Sequence, residues 1–223
     1  MPMLVAIAGG HGNIALRLTT LLHARGDQVR SLIRKPEHAD DVRAAGGEPV
    51  VCDLESASDY EAAAAVRGAD AVVFAAGAGP GSGSERKWTM DYGGAVKLVA
   101  AAKAEGIRRY VIISSMGADP DAPGDDTFSV YQRAKGKADA ELAASGLDHT
   151  IVQPGHLTDD PGTGRAMLAP EVPRGKIPRD DVAAVLATVL HEPATVGLTF
   201  EAVSGDVPID EAIAALTQGS DPS

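Results

Sequence analysis

Apolar positions along the chain fall into two alternating patterns. Short runs bounded by turn residues, at Met3–Ala8, Val29–Ile33, Pro49–Cys52, Ala71–Ala75, Tyr110–Ser114, His149–Val152 and Leu198–Val203, read as buried strands. Between them lie Ala-rich stretches of helical period at Asn13–Ala24, His38–Ala45, Ser58–Val66, Glu85–Ala104, Tyr131–Ala144 and Arg179–Leu190, with a last short one at Ile209–Leu216. Gly26, Gly46, Gly106 and Gly146 each stand just past a helical run, where glycine commonly ends a helix. Near-continuous apolar strands alternating with helices predict an α/β fold, a doubly wound parallel sheet of about seven strands covered on both faces. No internal repeat interrupts it, and one domain over 1–223 is expected.

Three segments break the alternation: the small-residue stretch Gly77–Ser84, the Asp- and Pro-rich stretch Ala118–Asp126, and the turn-rich stretch Gln153–Arg174. Each follows the C-terminal end of a strand, the edge at which open parallel sheets bind ligands. Long connections in a compact α/β domain commonly serve a site. Substrate-side loops are therefore expected at about 115–128 and 153–178.

The junction of the first strand and first helix reads Gly9-Gly10-His11-Gly12-Asn13-Ile14-Ala15. Gly10-x-Gly12-x-x-Ala15 fits the dinucleotide fingerprint of a Rossmann-type fold, with Ala in the third place. Glycines let the backbone turn tightly and let a pyrophosphate approach, while the helix start at Asn13 and Ile14 offers free N–H groups and a positive dipole end. No Gly-Lys-Ser/Thr follows, so a Walker loop is excluded. The second strand ends in Arg34-Lys35, with no carboxylate at the tip to hold a ribose diol. Two cations there favour the 2′-phosphate of NADP over NAD.

Tyr131-Gln-Arg-Ala-Lys135 places a phenol and an ammonium four residues apart on one helix face. An ammonium beside a phenol favours the phenolate, which can exchange a proton with a carbonyl or alcohol oxygen as hydride moves. Upstream, Ser114-Ser115 closes a strand, and a hydroxyl there could bind the same oxygen.

With these residues assembled, the chain resembles the short-chain dehydrogenase/reductase superfamily, and within it the atypical, small single-domain, epimerase/dehydratase-like NAD(P)H-binding reductases. The resemblance extends over nearly the whole chain. It implies that Asp53 and Leu54 lie near the adenine, that Ala75-Ala76-Gly77 pass over the adenosine ribose, and that Asp91-Tyr92-Gly93-Gly94 begin a helix backing the cofactor. Pro154-Gly155 would border the nicotinamide, and Lys135 would hold its ribose. Three positions depart from the pattern: Ala15 for the third Gly, His11 where Thr or Ala is commoner, and Gln153 for a strand-end Arg. The last takes a cation from the substrate side and counts against an anionic substrate.

The resemblance implies an NADP(H)-dependent oxidoreductase acting on a small carbonyl, quinone or flavin-like acceptor, with Tyr131 as acid/base, Lys135 tuning it, and Ser115 or Ser114 orienting the substrate oxygen. Some members of the group act instead as redox sensors, which is the alternative. A nucleotide-sugar epimerase is disfavoured, because only about 70 residues follow Val152.

Composition narrows the field further. Against 20 Lys+Arg stand 31 Asp+Glu, a net charge of −11, so nucleic acid and anionic membranes are poor partners. No apolar stretch approaches the ~20 residues that span a bilayer, and no basic leader precedes the first strand. A cytoplasmic protein, monomer or homodimer, with a small-molecule substrate is expected. The single Cys52 reads as an inert core thiol, and the six histidines show no metal-ligand spacing.

Overall fold

The computed structural model describes residues 2–79 and 81–218; Met1, Pro80 and 219–223, parts of the expected domain and of its Gly-rich loop, lie outside them. The chain runs β1 (Leu4–Ala8), α1 (Asn13–Ala24), β2 (Gln28–Ile33), α2 (Ala39–Ala44), β3 (Glu48–Val51), α3 (Asp59–Val66) and β4 (Ala71–Phe74). It continues with α4 (Ser84–Arg86), a π-helical segment (Lys87–Gly94), α5 (Ala95–Ala104), β5 (Arg109–Ile113), α6 (Thr127–Ala143) and β6 (Asp148–Pro154). The last part comprises β7 (His156–Thr158), β8 (Arg165–Ala169), β9 (Lys176–Pro178), α7 (Arg179–His191), β10 (Thr199–Pro208) and α8 (Ile209–Gln218).

Eight strands form one sheet in the order β3-β2-β1-β4-β5-β6-β10-β8, parallel except where β8 pairs antiparallel with β10. Side chains alternate between its faces. Val5 and Ile7 of β1 join the core beneath α1 and α7, whereas Ala6 and Ala8 join the core beneath α3 and α5. Both faces are covered, which is why the strands read as continuous apolar runs. The expected Rossmann-type fold is observed, and its strand order reverses between β1 and β4, the crevice where such sheets take ligands.

Three features differ from the expected elements. The turn-rich segment is not plain loop: it carries β7 and β9, paired as a separate two-stranded ribbon, and β8, which extends the main sheet. These strands are three to five residues long, too short for a period to show. Helix α6 begins at Thr127 rather than Tyr131, because Asp126 caps it by accepting from the N–H groups of Phe128 and Ser129. The run expected as one helix from Glu85 opens into a π-helical stretch over Lys87–Gly94.

Candidate active site

The cofactor end of the groove is made by close backbone approach. Gly9 has φ +76°, and a Cβ on it would lie 2.7 Å from Ala76 Cα on the neighbouring loop after β4. Gly10 donates its N–H to Leu32 O at 2.9 Å, and a Cβ there would meet Ser31 Cβ at 2.5 Å. These two glycines seat β1's loop against β2 and β4, and no larger residue fits. Gly12 then caps α1 with extended backbone and no side chain, so the first-turn N–H groups of Asn13 and Ile14 lack partners in the helix and no acid stands among them.

Beside this turn lies a cavity of about 410 Å³, lined among others by His11, Arg34, Asp53, Leu54, Ala76 and Gly77. Arg34 makes no hydrogen bond or ion pair among the described residues, while Lys35 turns to Glu37, 3.5 Å away, and does not line the cavity. The strand-tip pair therefore divides, with Arg34 alone facing the groove. His11 Nε2 lies 2.7 Å from Asp41 Oδ2, and its ring stacks on His38 with centroids 3.8 Å apart. Asp53 accepts from Glu55 N, closing its own turn. Cys52 is not in the core as expected but half-buried at the edge of this cavity, where burial, with Glu61 and Asp53 nearby, holds its thiol above its ordinary pKa. The donor set fits a dinucleotide: a collapsed glycine turn, a helix start without acids, and one free guanidinium.

The groove continues past Ala75, Ala76 and Gly77 into a second cavity of about 520 Å³, lined by Ile14, Lys87, Asp91, Ser114, Tyr131 and Lys135 among others. Lys135 is buried, donates to Ile113 O at 3.0 Å, and lies 3.5 Å from the equally buried Asp91 Oδ1. Asp91 in turn accepts from Ala78 N at 3.1 Å, so one carboxylate fixes both the loop after β4 and the lysine. Tyr131 stands on the same helix one turn earlier, with the Lys87 ammonium 5.2 Å from its ring centroid. Lys87 is anchored by Gly79 O at 3.0 Å. The π-helical turn brings Lys87 and Asp91 to one face; π turns of this kind are frequent at functional sites.

The two serines part company. Ser114 is buried and donates to Asp139 Oδ2 at 2.6 Å, while Ser115 is half-buried, with its hydroxyl 3.4 Å from Met116 O. Both line a third cavity of about 570 Å³, which shares Ser114, Phe128, Tyr131 and Leu157 with the second and includes Pro154 and Gly155. Asp139 also accepts from Gln153 Nε2 at 3.0 Å, and its Oδ1 is buried without a partner. Gln153 lines none of these cavities; it faces Asp139, so its neutrality does not bear on the substrate side. Burial holds the Asp139 carboxyl above its ordinary pKa despite the Ser114 and Gln153 hydrogen bonds.

Sequence reasoning missed Lys87, Asp139 and Arg174, the last of which lines the third cavity. A Lys-x-x-x-Asp spacing, at 87–91 and again at 135–139, was the available signal. Among the described residues no helix is long and apolar enough to cross a membrane.

Comparison with known proteins agrees with this geometry. A family model described as NAD(P)H-binding matches residues 9–193. A Bacillus subtilis (strain 168) protein named "uncharacterized sugar epimerase YhfK" is 39% identical over 215 residues, which cover 96% of this chain and 100% of that one. A solved Bacillus halodurans structure, named for the NAD-dependent epimerase/dehydratases, superposes with TM-score 0.89 at 36% identity, over 96% of this chain and 100% of that one. The oxidoreductase ylbE from Lactococcus lactis superposes with TM-score 0.83 at 27% identity, over 97% of each chain. The chain belongs to the NAD(P)H-binding family, and its relatives are epimerase/dehydratase-like.

Proposed function

We propose that this protein is an NADP(H)-dependent oxidoreductase that reduces, or in reverse oxidises, a small carbonyl, quinone or flavin-like acceptor. The observation carrying this reading is the position of Tyr131, which lines both the cofactor-side cavity and the cavity beyond it, with Lys135 buried one turn further along the helix. When bound, the nicotinamide supplies a hydride. The Tyr131 hydroxyl gives the matching proton to the acceptor oxygen, so a carbonyl becomes an alcohol. Lys135, held by Ile113 O and Asp91, tunes that phenol from the next turn of the helix and holds the nicotinamide ribose. Ser115 orients the acceptor oxygen; Ser114 has its own proton engaged by Asp139 and contributes lone pairs.

At the other end Gly9, Gly10, His11 and Gly12, with the N–H groups of Asn13 and Ile14, hold the pyrophosphate. Arg34 takes the 2′-phosphate, which favours NADP over NAD, and Lys35 adds charge at longer range. Asp53 and Leu54 border the adenine, Ala75 to Gly77 run under the adenosine, and Pro154 and Gly155 border the nicotinamide. The name of the oxidoreductase ylbE, a relative of the same length range, supports redox chemistry.

Loss of NADPH absorbance, followed with a panel of quinones, flavins and aldehydes, tests the reading. Turnover with at least one class is expected. Tight NADPH binding without turnover would replace it with a redox sensor, and failure to bind either nucleotide would remove both.

A further inference from the structure

In a chain with eleven more acids than bases, an arginine without an acidic partner stands out. The chain has thirteen arginines, and eleven of them hold a hydrogen bond or an ion pair. Two have neither among the described residues, Arg34 and Arg174. Each lines a cavity, and the cavities lie at opposite ends of one groove. Arg34 has a use in the proposed function. Arg174 does not.

The cavity at Arg174 has no Asp or Glu in its lining, although such residues outnumber cations across the molecule. Arg179 and His156 share it; Arg179 is held by Asp159 at 2.9 Å, and the neighbouring Lys176 is balanced by Asp160 at 3.7 Å. The unmatched charge is therefore that of Arg174. Much of the remaining wall is apolar or aromatic, from Met116, Phe128, Tyr131 and Leu157. The guanidinium is mounted on fixed backbone. His156 N donates to Gly175 O at 2.9 Å, and a Cβ on Gly155 would meet that oxygen at 2.4 Å, so the β7–β9 ribbon is closed tightly beside it.

We infer that Arg174, with Arg179 and His156 beside it, forms an anion subsite, and that the physiological acceptor has a flat apolar body ending in a carboxylate or phosphate. This rests on the oxidoreductase reading for the other end of the substrate. The planar guanidinium matches either anion with two parallel hydrogen bonds, and the apolar wall beside it takes the body of the ligand. The cavity, at about 570 Å³, has room for a ligand of this kind.

Titration calorimetry on the NADP-saturated protein decides it, with three probes: 4-carboxybenzaldehyde, 4-formylphenyl phosphate and the neutral methyl 4-formylbenzoate. At least one anion is expected to bind about tenfold more tightly than the ester, and the two anions report which group is preferred. Arg174→Gln should erase most of that preference with NADPH affinity unchanged, and Arg174→Lys should restore part of it. Raising salt should shrink it, since the guanidinium is exposed. Equal affinities for all three probes, a preference that survives Arg174→Gln, or no binding of either anion overturns the subsite. The underlying reading fails separately, if wild-type protein does not bind NADPH; the probes are then titrated into the protein alone.

Discussion

Gly9, Gly10 and Gly12 build one end of the groove by having no side chains, whereas Tyr131, Lys135, Ser114 and Arg174 build the other by the side chains they carry. At the glycine end the groups proposed to hold the cofactor are backbone N–H groups on a loop packed tightly against β2 and β4. At the far end Lys135 depends on Asp91 and Ile113, Ser114 on Asp139 and Tyr131 on its place near Lys87, and Arg174 alone of the four has no partner among the described residues. In the proposed function, binding is thus assigned to the main chain and chemistry to side chains. A single substitution at the first end should damage the fold together with binding, and at the second end activity alone.

The sharpest separation comes from Tyr131→Phe, which removes one oxygen from a half-buried ring. Turnover of a carbonyl substrate should fall on the order of 10²–10⁴-fold, with NADPH affinity and thermal midpoint unchanged. Retained carbonyl turnover would sink the proton-transfer role. Activity surviving only with quinones or flavins would point to a reductase that works by holding the reactants together.

Gly9→Ala is the converse experiment. The new methyl meets Ala76 Cα, N and Cβ at 2.7–2.9 Å on a residue held at φ +76°. Left-handed backbone and overpacking together cost roughly 2–4 kcal/mol. Differential scanning calorimetry should show the midpoint falling by about 5–15 °C, and nucleotide binding should fall with it. A variant that melts normally yet cannot bind nucleotide would break the claim that fold and site are one object at this end.

Arg34→Gln probes the exception, a side chain at the backbone-built end. NADPH should bind about tenfold more weakly, a loss of about 1.4 kcal/mol, and NADH should bind as before. The difference should narrow at high salt, because Arg34 is exposed. Wild-type protein that binds NADH more tightly than NADPH would show that Arg34 serves another purpose.

The same contrast explains what could be read in advance. The glycine turn, the parallel sheet implied by β-α alternation, and the Tyr131–Lys135 spacing depend on local pattern, and local pattern is visible in a sequence. Asp91 and Lys87 meet the site through a widened helical turn, which looks in sequence like ordinary helix with Gly93-Gly94 inside it. Asp139 is reached only because β5 and α6 pack together, placing Ser114 against a residue 25 positions away. Arg174 precedes a three-residue strand, too short to announce itself. Gln153 was legible as an unusual residue but not in its direction, since a strand end points to either face.

Asp139 offers the smallest effect and the finest test of how the side-chain end is held together. Its carboxyl is buried, shares one oxygen between Ser114 and Gln153, and leaves the other without a partner. Burial raises its pKa above the ordinary 3.8, and the two hydrogen bonds and the Lys135 charge offset only part of this. A carboxyl that holds its proton more tightly folded than unfolded contributes most to stability below pH 3.8. That contribution is lost as pH rises through the raised value. Asparagine keeps the shape and does not titrate. The midpoint of Asp139→Asn minus that of the wild type should therefore become more positive from pH 4 towards pH 8, by a few degrees at most. Parallel pH curves for the two proteins would mean that Asp139 is ionised throughout, with its charge fully compensated by Ser114, Gln153 and Lys135.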